Sequence, residues 1–291
     1  VSLQLELFSK VRSRGRTSVG LTFASLQSGS EGNATLVAAG KTTLIVDCGI
    51  SPSRLEKRLA AHGRTIADLS GVLLTHEHSD HAGGAGALAR RFGVPLYMNE
   101  ATARAASGRI LRDEDRPFRH ILPRDGALAF RDGKVVDASG AHDLRVEWIP
   151  VPHDAADPVA FVVERQGIRA AVLTDIGHAS PAIKALFETL DLVLLESNHD
   201  RERLRDGPYP RSLKQRIASR LGHLSNVEAA RLVRDHAAPR LRALLLGHLS
   251  GTNNAPALAE EAMRHALAKR RDLDLAVHLT YRDRSAPALE A

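Results

Sequence analysis

The stretch Thr75-His76-Glu77-His78-Ser79-Asp80-His81 constrains this chain more than any other. It follows the apolar run Val72-Leu73-Leu74 and precedes Ala82-Gly83-Gly84 and a helix-like segment. Three histidines and an aspartate within six residues exceed what packing alone requires. On an extended turn, histidines two apart can direct their imidazoles at one ion, and Asp80 and His81 then sit where they can serve a second. Neutral imidazole and carboxylate suit zinc, and also manganese or iron.

A site for two ions needs more than four donors, and a loop of this kind is delivered by a strand. The remaining donors are therefore sought at other strand ends. Val151-Pro152-His153, Leu173-Thr174-Asp175 and Leu246-Gly247-His248 each end an apolar run on a ligand-type side chain. The Asp175 carboxylate is of a kind that bridges two ions. Asp47, closing Leu44-Ile45-Val46-Asp47, reads as a carboxylate that orients the metal-loop backbone and is not a ligand.

The surrounding pattern supplies strands and helices in a repeated order. Leu21–Leu26 reads as a strand, and Ala34–Ala38 with Thr42–Asp47 as a hairpin around Gly40-Lys41. Ser51-Pro52 opens a helix to about His62. A strand over Val72–Thr75 delivers the metal loop, one helix is expected over His81–Phe92, and Val94–Met98 is a strand before a helix capped by Asn99. Residues 108–126 are polar and read as irregular. Strands follow near 127–130, 134–138, 145–151, 159–164 and 169–174, then a helix over 180–189 and a strand over 192–196. Ser225-Asn226-Val227-Glu228 is a capping box opening a helix to about His236. A strand over 241–246, a helix over 256–269 and a strand over 275–280 complete the pattern. Hairpins followed by alternating strands and helices occur twice, which implies an α/β fold of two mixed sheets face to face with helices outside. No linker rich in proline or glycine interrupts residues 19–291, read as one domain; residues 1–18 read as a flexible basic extension.

Composition narrows the partners only slightly. The 291 residues carry a formal charge of +6, and 33 of the 40 basic residues are arginine. Arginine grips phosphate oxygens bidentately, consistent with a polyanionic substrate; a biased genome composition also raises arginine. No apolar run approaches the roughly 20 residues of a membrane span. The single cysteine, Cys48, cannot form an internal disulfide, which suits a reducing cytosol.

The His-x-His-x-Asp-His signature and the ordered strand-end donors resemble the metallo-β-lactamase superfamily. Further motifs narrow the resemblance. They are Ser28-Gly29-Ser30-Glu31-Gly32-Asn33-Ala34, Glu196-Ser197-Asn198-His199-Asp200, Gly207-Pro208-Tyr209-Pro210 with Leu213-Lys214, Gly222-His223-Leu224-Ser225-Asn226, and Gly247-His248-Leu249-Ser250 with Asn253-Asn254. In this order they are similar to the YycJ/WalJ-like branch, related to ribonuclease Z and composed of DNA exonucleases. The resemblance runs from about Leu21 to Leu279.

It implies the four-layer αβ/βα sandwich and two divalent ions, zinc first, with manganese or iron as alternatives. His76, His78 and His153 would hold one ion, Asp80, His81 and His248 the other, with Asp175 between. It also implies metal-assisted hydrolysis of a nucleic-acid phosphodiester, DNA before RNA, from a 5′ end. Asp80 is expected to orient the attacking water. His223, at a helix N-terminal end where an anion is stabilised, is expected to contact the scissile phosphate or protonate the leaving oxygen, with support of a ligand as the alternative. Ser30, Asn33, Lys214, Ser250 and Asn253 are expected to bind substrate. His199 has a weaker claim to the same role, with a local turn role as the alternative. The basic run of Arg201, Arg203, Arg205, Arg211, Lys214, Arg216 and Arg220 either follows a phosphate backbone or forms a solvated helix face. Two other readings stay open: a hydrolase of thioesters, lactones or β-lactams, and a metal-stabilised binding or regulatory protein without turnover.

Overall fold

The computed structural model describes residues 20–291; the extension expected over 1–18 lies outside the described residues. The first elements are β1 (Thr22–Gln27), β2 (Ala34–Ala39), β3 (Thr42–Val46), α1 (Pro52–Ala60), β4 (Gly71–Leu73) and α2 (Ser79–Ala82). Next come α3 (Ala85–Phe92), β5 (Leu96–Met98), α4 (Glu100–Ala106) and β6 (Arg119–Ile121). The second half holds β7 (Leu128–Arg131), β8 (Lys134–Val136), β9 (Leu144–Pro150), β10 (Val159–Arg165), β11 (Ile168–Leu173), α5 (Pro181–Phe187) and β12 (Leu192–Glu196). Then follow α6 (Arg201–Asp206), α7 (Arg211–Ile217), α8 (Asn226–His236), β13 (Ala243–Gly247), α9 (Pro256–Leu267), β14 (Ala276–Leu279) and β15 (Leu289–Glu290).

One sheet has seven strands in the order β15-β1-β2-β3-β4-β5-β6, the other eight in the order β14-β13-β12-β11-β10-β9-β7-β8. Both are mixed: hairpins pair antiparallel, whereas β3 to β6 and β11 to β14 run parallel. Parallel strands covered on both faces need unbroken apolar runs, and Leu244-Leu245-Leu246 in β13 shows the consequence. Leu245 joins the core between the sheets with Phe23, Phe130 and Phe161, while Leu244 and Leu246 face outward to Ile183, Leu232 and Met263 of the helices. A third cluster packs Leu55, Leu59 and Leu88 of α1 and α3 on the outer face of the first sheet. Three apolar layers separate four structural ones, the expected αβ/βα sandwich.

Helix starts follow their capping chemistry. Ser51, Asn99, Ser180 and Ser225 each accept a hydrogen bond from the backbone three residues on. The box at α8 is reciprocal, Glu228 accepting the Ser225 N–H at 3.0 Å. Ser225→Ala should therefore cost about 0.5–2 kcal/mol, measured as a lower midpoint in urea unfolding; an unchanged midpoint would mean that packing alone holds this helix start.

Two expectations need correction. The single helix over 81–92 is divided into α2 and α3 at Gly83-Gly84, where the chain presses on its neighbour. The Gly84 N–H donates to the Cys48 carbonyl at 2.7 Å, and a Cβ on Gly84 would lie 1.8 Å from the Ile50 oxygen. Residues 108–126 contain a 3-10 turn over Asp113–Phe118 and the edge strand β6, whose residues are mostly exposed and so carry no apolar alternation. The Arg201–Arg220 run, by contrast, is helical as its helix-face alternative has it: it forms α6 and α7, and α7 buries no residue. Among the described residues, no helix is long and apolar enough to cross a membrane.

Candidate metal centre and cleft

The strands of both sheets deliver their polar residues to one edge of the sandwich. Just past β3, the Asp47 carboxylate accepts the Thr75 N–H at 2.9 Å, bonds the Thr75 hydroxyl, and lies 2.7 Å from His81 Nδ1. It thus fixes the loop after β4 and one of its histidines together, the orienting role expected of it. His78 stands at the N-cap of α2, which carries Asp80 and His81 on its single turn. Asn33 steadies that turn, its backbone N–H donating to the Asp80 carbonyl at 2.7 Å.

His153, Asp175 and His248 arrive after β9, β11 and β13. Five described non-glycine residues have positive φ; Asp132 and Gln166 occupy hairpin turns, and the other three are Asp47 (61°), Asp175 (55°) and His248 (53°). Left-handed backbone at a non-glycine residue costs energy and persists where the surroundings hold it. Here it turns three strand ends so that their side chains converge on the loop of His76–His81.

The donor atoms fall into overlapping groups, each within 4.8 Å: His76, His78 and His153; Asp80, His81 and His248; and His76, His81 and Asp175. Asp175 Oδ2 lies 2.7 Å from His81 Nε2, and its Oδ1 is 3.8 Å from His153 Nε2 and 3.5 Å from His248 Nδ1. It therefore stands between the two histidine sets. A fourth group joins Asp175 and His248 to Glu196 and His223.

These residues fit divalent cations on structural grounds. His76 Nε2 and Asp175 Oδ2 are buried without a hydrogen-bond partner. The close approach of Asp175 Oδ2 to His81 Nε2 lacks hydrogen-bond alignment, and His81 already uses Nδ1 toward Asp47. Buried acceptors left facing one another are costly unless a positive charge lies among them. A histidine whose outer nitrogen is held by a carboxylate is the usual support of a metal-bound imidazole.

Electrostatics points the same way. Burial disfavours a charged His81, but the carboxylates of Asp175 and Asp47 outweigh it and raise its pKa well above the ordinary value. His248 is raised to about 10 against the same burial penalty, chiefly by Asp175. Asp175 is held well below the carboxylate range despite burial, by His248 and His81. His76, desolvated and beside His81, is pushed well below its usual value and so offers a neutral ring. The field that favours a proton on His81 and His248 favours a metal cation in its place.

Glu196, at the end of β12, is the main residue that sequence reasoning left without a role. It is fully buried and accepts from the Ile176 N–H (2.9 Å) and the Leu224 N–H (3.1 Å), and lies 2.8 Å from His223 Nδ1 and 2.9 Å from His248 Nδ1. Burial opposes its charge, but His223 and its neighbours bring its pKa down to about 2. The signal was available: Glu196 closes an apolar strand as Asp47 and Asp175 do.

The groups open into a cleft of about 660 Å³. Of the residues expected to bind substrate, Ser30 lines it, as do Asp80 and His223. Asn33 lies buried behind Asp80. His199 is buried, and its carbonyl accepts the Asn226 N–H across a bridge to Ser225, a long-range contact and not a local turn. Lys214 donates to the Arg205 carbonyl at 2.7 Å, Ser250 accepts the Asn253 N–H at 3.1 Å, and Asn253 is fully buried; none of these is on the cleft wall. Arg109, Asp154 and Arg216, none of them expected individually at the site, do line it. Arg216 Nε is hydrogen-bonded to Asp154 Oδ2, next to His153.

A four-layer αβ/βα sandwich with histidines and aspartates gathered at its strand ends defines a metal-dependent hydrolase. Residues 28–238 match the Metallo-beta-lactamase superfamily, and the chain belongs to that superfamily. It is 36% identical over 277 residues to the exodeoxyribonuclease WalJ of Streptococcus pneumoniae serotype 2, covering 94% of this chain and 98% of the relative. It is also 36% identical over 255 residues to the exodeoxyribonuclease YycJ of Bacillus anthracis, covering 87% and 91% of the two chains. Among solved structures it resembles the metallo-beta-lactamase fold protein YhfI of Bacillus subtilis with a TM-score of 0.67, at 17% identity over 94% of this chain and 100% of that one.

Proposed function

We propose that this protein is a metal-dependent exodeoxyribonuclease. The observation that carries the reading is the pair of histidine-rich donor groups sharing Asp175, in a chain aligned almost end to end with relatives named as exodeoxyribonucleases. His76, His78 and His153 would hold one divalent ion and Asp80, His81 and His248 a second, with Asp175 shared. Zinc is the first choice for an imidazole-dominated set, and manganese or iron are the alternatives. Two such ions supply Lewis-acid activation of water and neutralise charge on the phosphoryl oxygens.

The remaining chemistry belongs to the chain. Asp80, partly exposed to the cleft and held low in pKa by His81 and His248 against its burial, is an ionised acceptor that orients the attacking water. His223 has its Nδ1 fixed by Glu196 and its ring on the cleft wall. Burial opposes a charge on His223 while Glu196 raises its pKa, and the ring stands where it can pass a proton to the leaving oxygen. We place the protein in the cytosol, because its lone cysteine, Cys48, is buried and unpaired.

The test is digestion of 5′- and 3′-labelled DNA, with RNA as comparison, by protein loaded with zinc or manganese. Chelation should abolish cleavage and re-addition of the metal should restore it. Progressive release from the 5′ end is the expected product pattern. A sample carrying two metals per chain that leaves both nucleic acids intact would remove the nuclease reading.

A further inference from the structure

The outer part of the cleft contains surfaces that the metal centre does not use. Helix α7 buries no residue, yet Leu213, Arg216 and Ile217 all line the cleft. Their spacing of three and four residues places them on one helical face. The only apolar side chains of α7 thus face an open cavity and not a core, and remain half-exposed there. From the other half of the chain, Ala105 of α4 and Ile110 add half-exposed aliphatic surface to the same cleft, with Arg109 beside them. Arg109 is exposed, and its guanidinium has no hydrogen-bond or ion-pair partner among the described residues.

We infer that these two elements form a binding site for a nucleotide unit flanking the scissile bond, with Leu213, Ile217, Ala105 and Ile110 against the nucleoside and Arg109 and Arg216 on phosphates. The inference rests on the nuclease reading and adds to it the recognition surface. A volume of about 660 Å³ falls in the roughly 300–1,000 Å³ range of small-ligand sites, which takes a nucleotide or two of a single strand and not a double helix. A strand end therefore has to be unpaired to reach the metals. No phenylalanine, tyrosine or tryptophan lines this cleft among the described residues. Aliphatic contact reads no hydrogen-bonding edge of a base, so digestion is indifferent to sequence. Arg216 is anchored by Asp154 and sets the position of α7 over the site, whereas Arg109 is free to follow the strand.

The test compares a single-stranded oligodeoxynucleotide with methyl 4-nitrophenyl phosphate, a diester without a base, on metal-loaded enzyme. The double variant L213A/I217A trims half-exposed side chains and no core residue, so the fold should be kept, which an unchanged thermal midpoint checks. Its KM for the oligonucleotide should rise about 10-fold, with a much smaller change for the minimal diester. Arg109→Ala should also raise the oligonucleotide KM and weaken its dependence on salt. Ile217→Phe, which supplies the missing stacking face, should lower that KM. Equal losses on both substrates, or no change on either, would overturn the inference and leave the nuclease reading intact. Native enzyme that turns over the diester but no nucleic acid would instead remove the nuclease reading itself, before any variant is made.

Discussion

Asp175→Asn should lower kcat on DNA by about 10³-fold or more, and reduce bound metal from two ions per chain to one or fewer. Asparagine is the informative replacement because the position has φ of 55°, where asparagine is tolerated and alanine adds strain. The shape of the side chain is kept and its negative charge is removed. That charge is buried and faces His81, His153, His223 and His248 at 2.7–3.8 Å; of the described carboxylates it alone lies within 4 Å of both His153 and His81. In the proposed two-ion centre, several kcal/mol of transition-state stabilisation would depend on the arrangement of the ions, and each 1.36 kcal/mol is tenfold in rate. Metal analysis alongside steady-state kinetics distinguishes loss of an ion from loss of fold. Near-native turnover with two ions bound would show that Asp175 does not join the two histidine sets.

The parts of this site that were legible in the sequence share one physical cause. A buried strand must be apolar, so a polar side chain at its end stands out, and His153, Asp175 and His248 were found in that way. The loop His76–His81 was local and needed no tertiary information. Asp47 was readable as an orienting residue because it closes the strand beside the metal loop. Glu196 satisfied the same rule, but its function depends on His223 and His248, which lie 27 and 52 positions away. Helix α7 contributes nothing to the core, so its basic run left a helix face only as one of two readings. The break at Gly83-Gly84 arises from the approach of residues 48–50, a contact that no local pattern encodes. Asn33 and His199 belong to motifs of the resemblance, yet they sit behind the cleft wall. A recurring motif marks residues that the fold needs near a site, whether or not they touch substrate.

Glu196→Gln should destabilise the protein by about 3–5 kcal/mol and weaken metal affinity by roughly 10–100-fold. The carboxylate takes two backbone N–H groups and two imidazole nitrogens, all buried or nearly so. Glutamine keeps the volume but offers one acceptor oxygen and turns an NH₂ group toward groups that are themselves donors. At least one imidazole then loses its acceptor, and the ring orientation of His248 is no longer imposed from behind. The backbone at 176 and 224 is affected as well, so the turns after β11 and before α8 loosen together. Thermal melts of metal-free and metal-loaded protein separate the two effects. A lower midpoint in both states, with the difference between them reduced, is expected. A midpoint lowered only in the metal-free protein would mean that the ions alone orient His248, whereas native midpoints and native metal content would show that the four hydrogen bonds to Glu196 contribute nothing to the site.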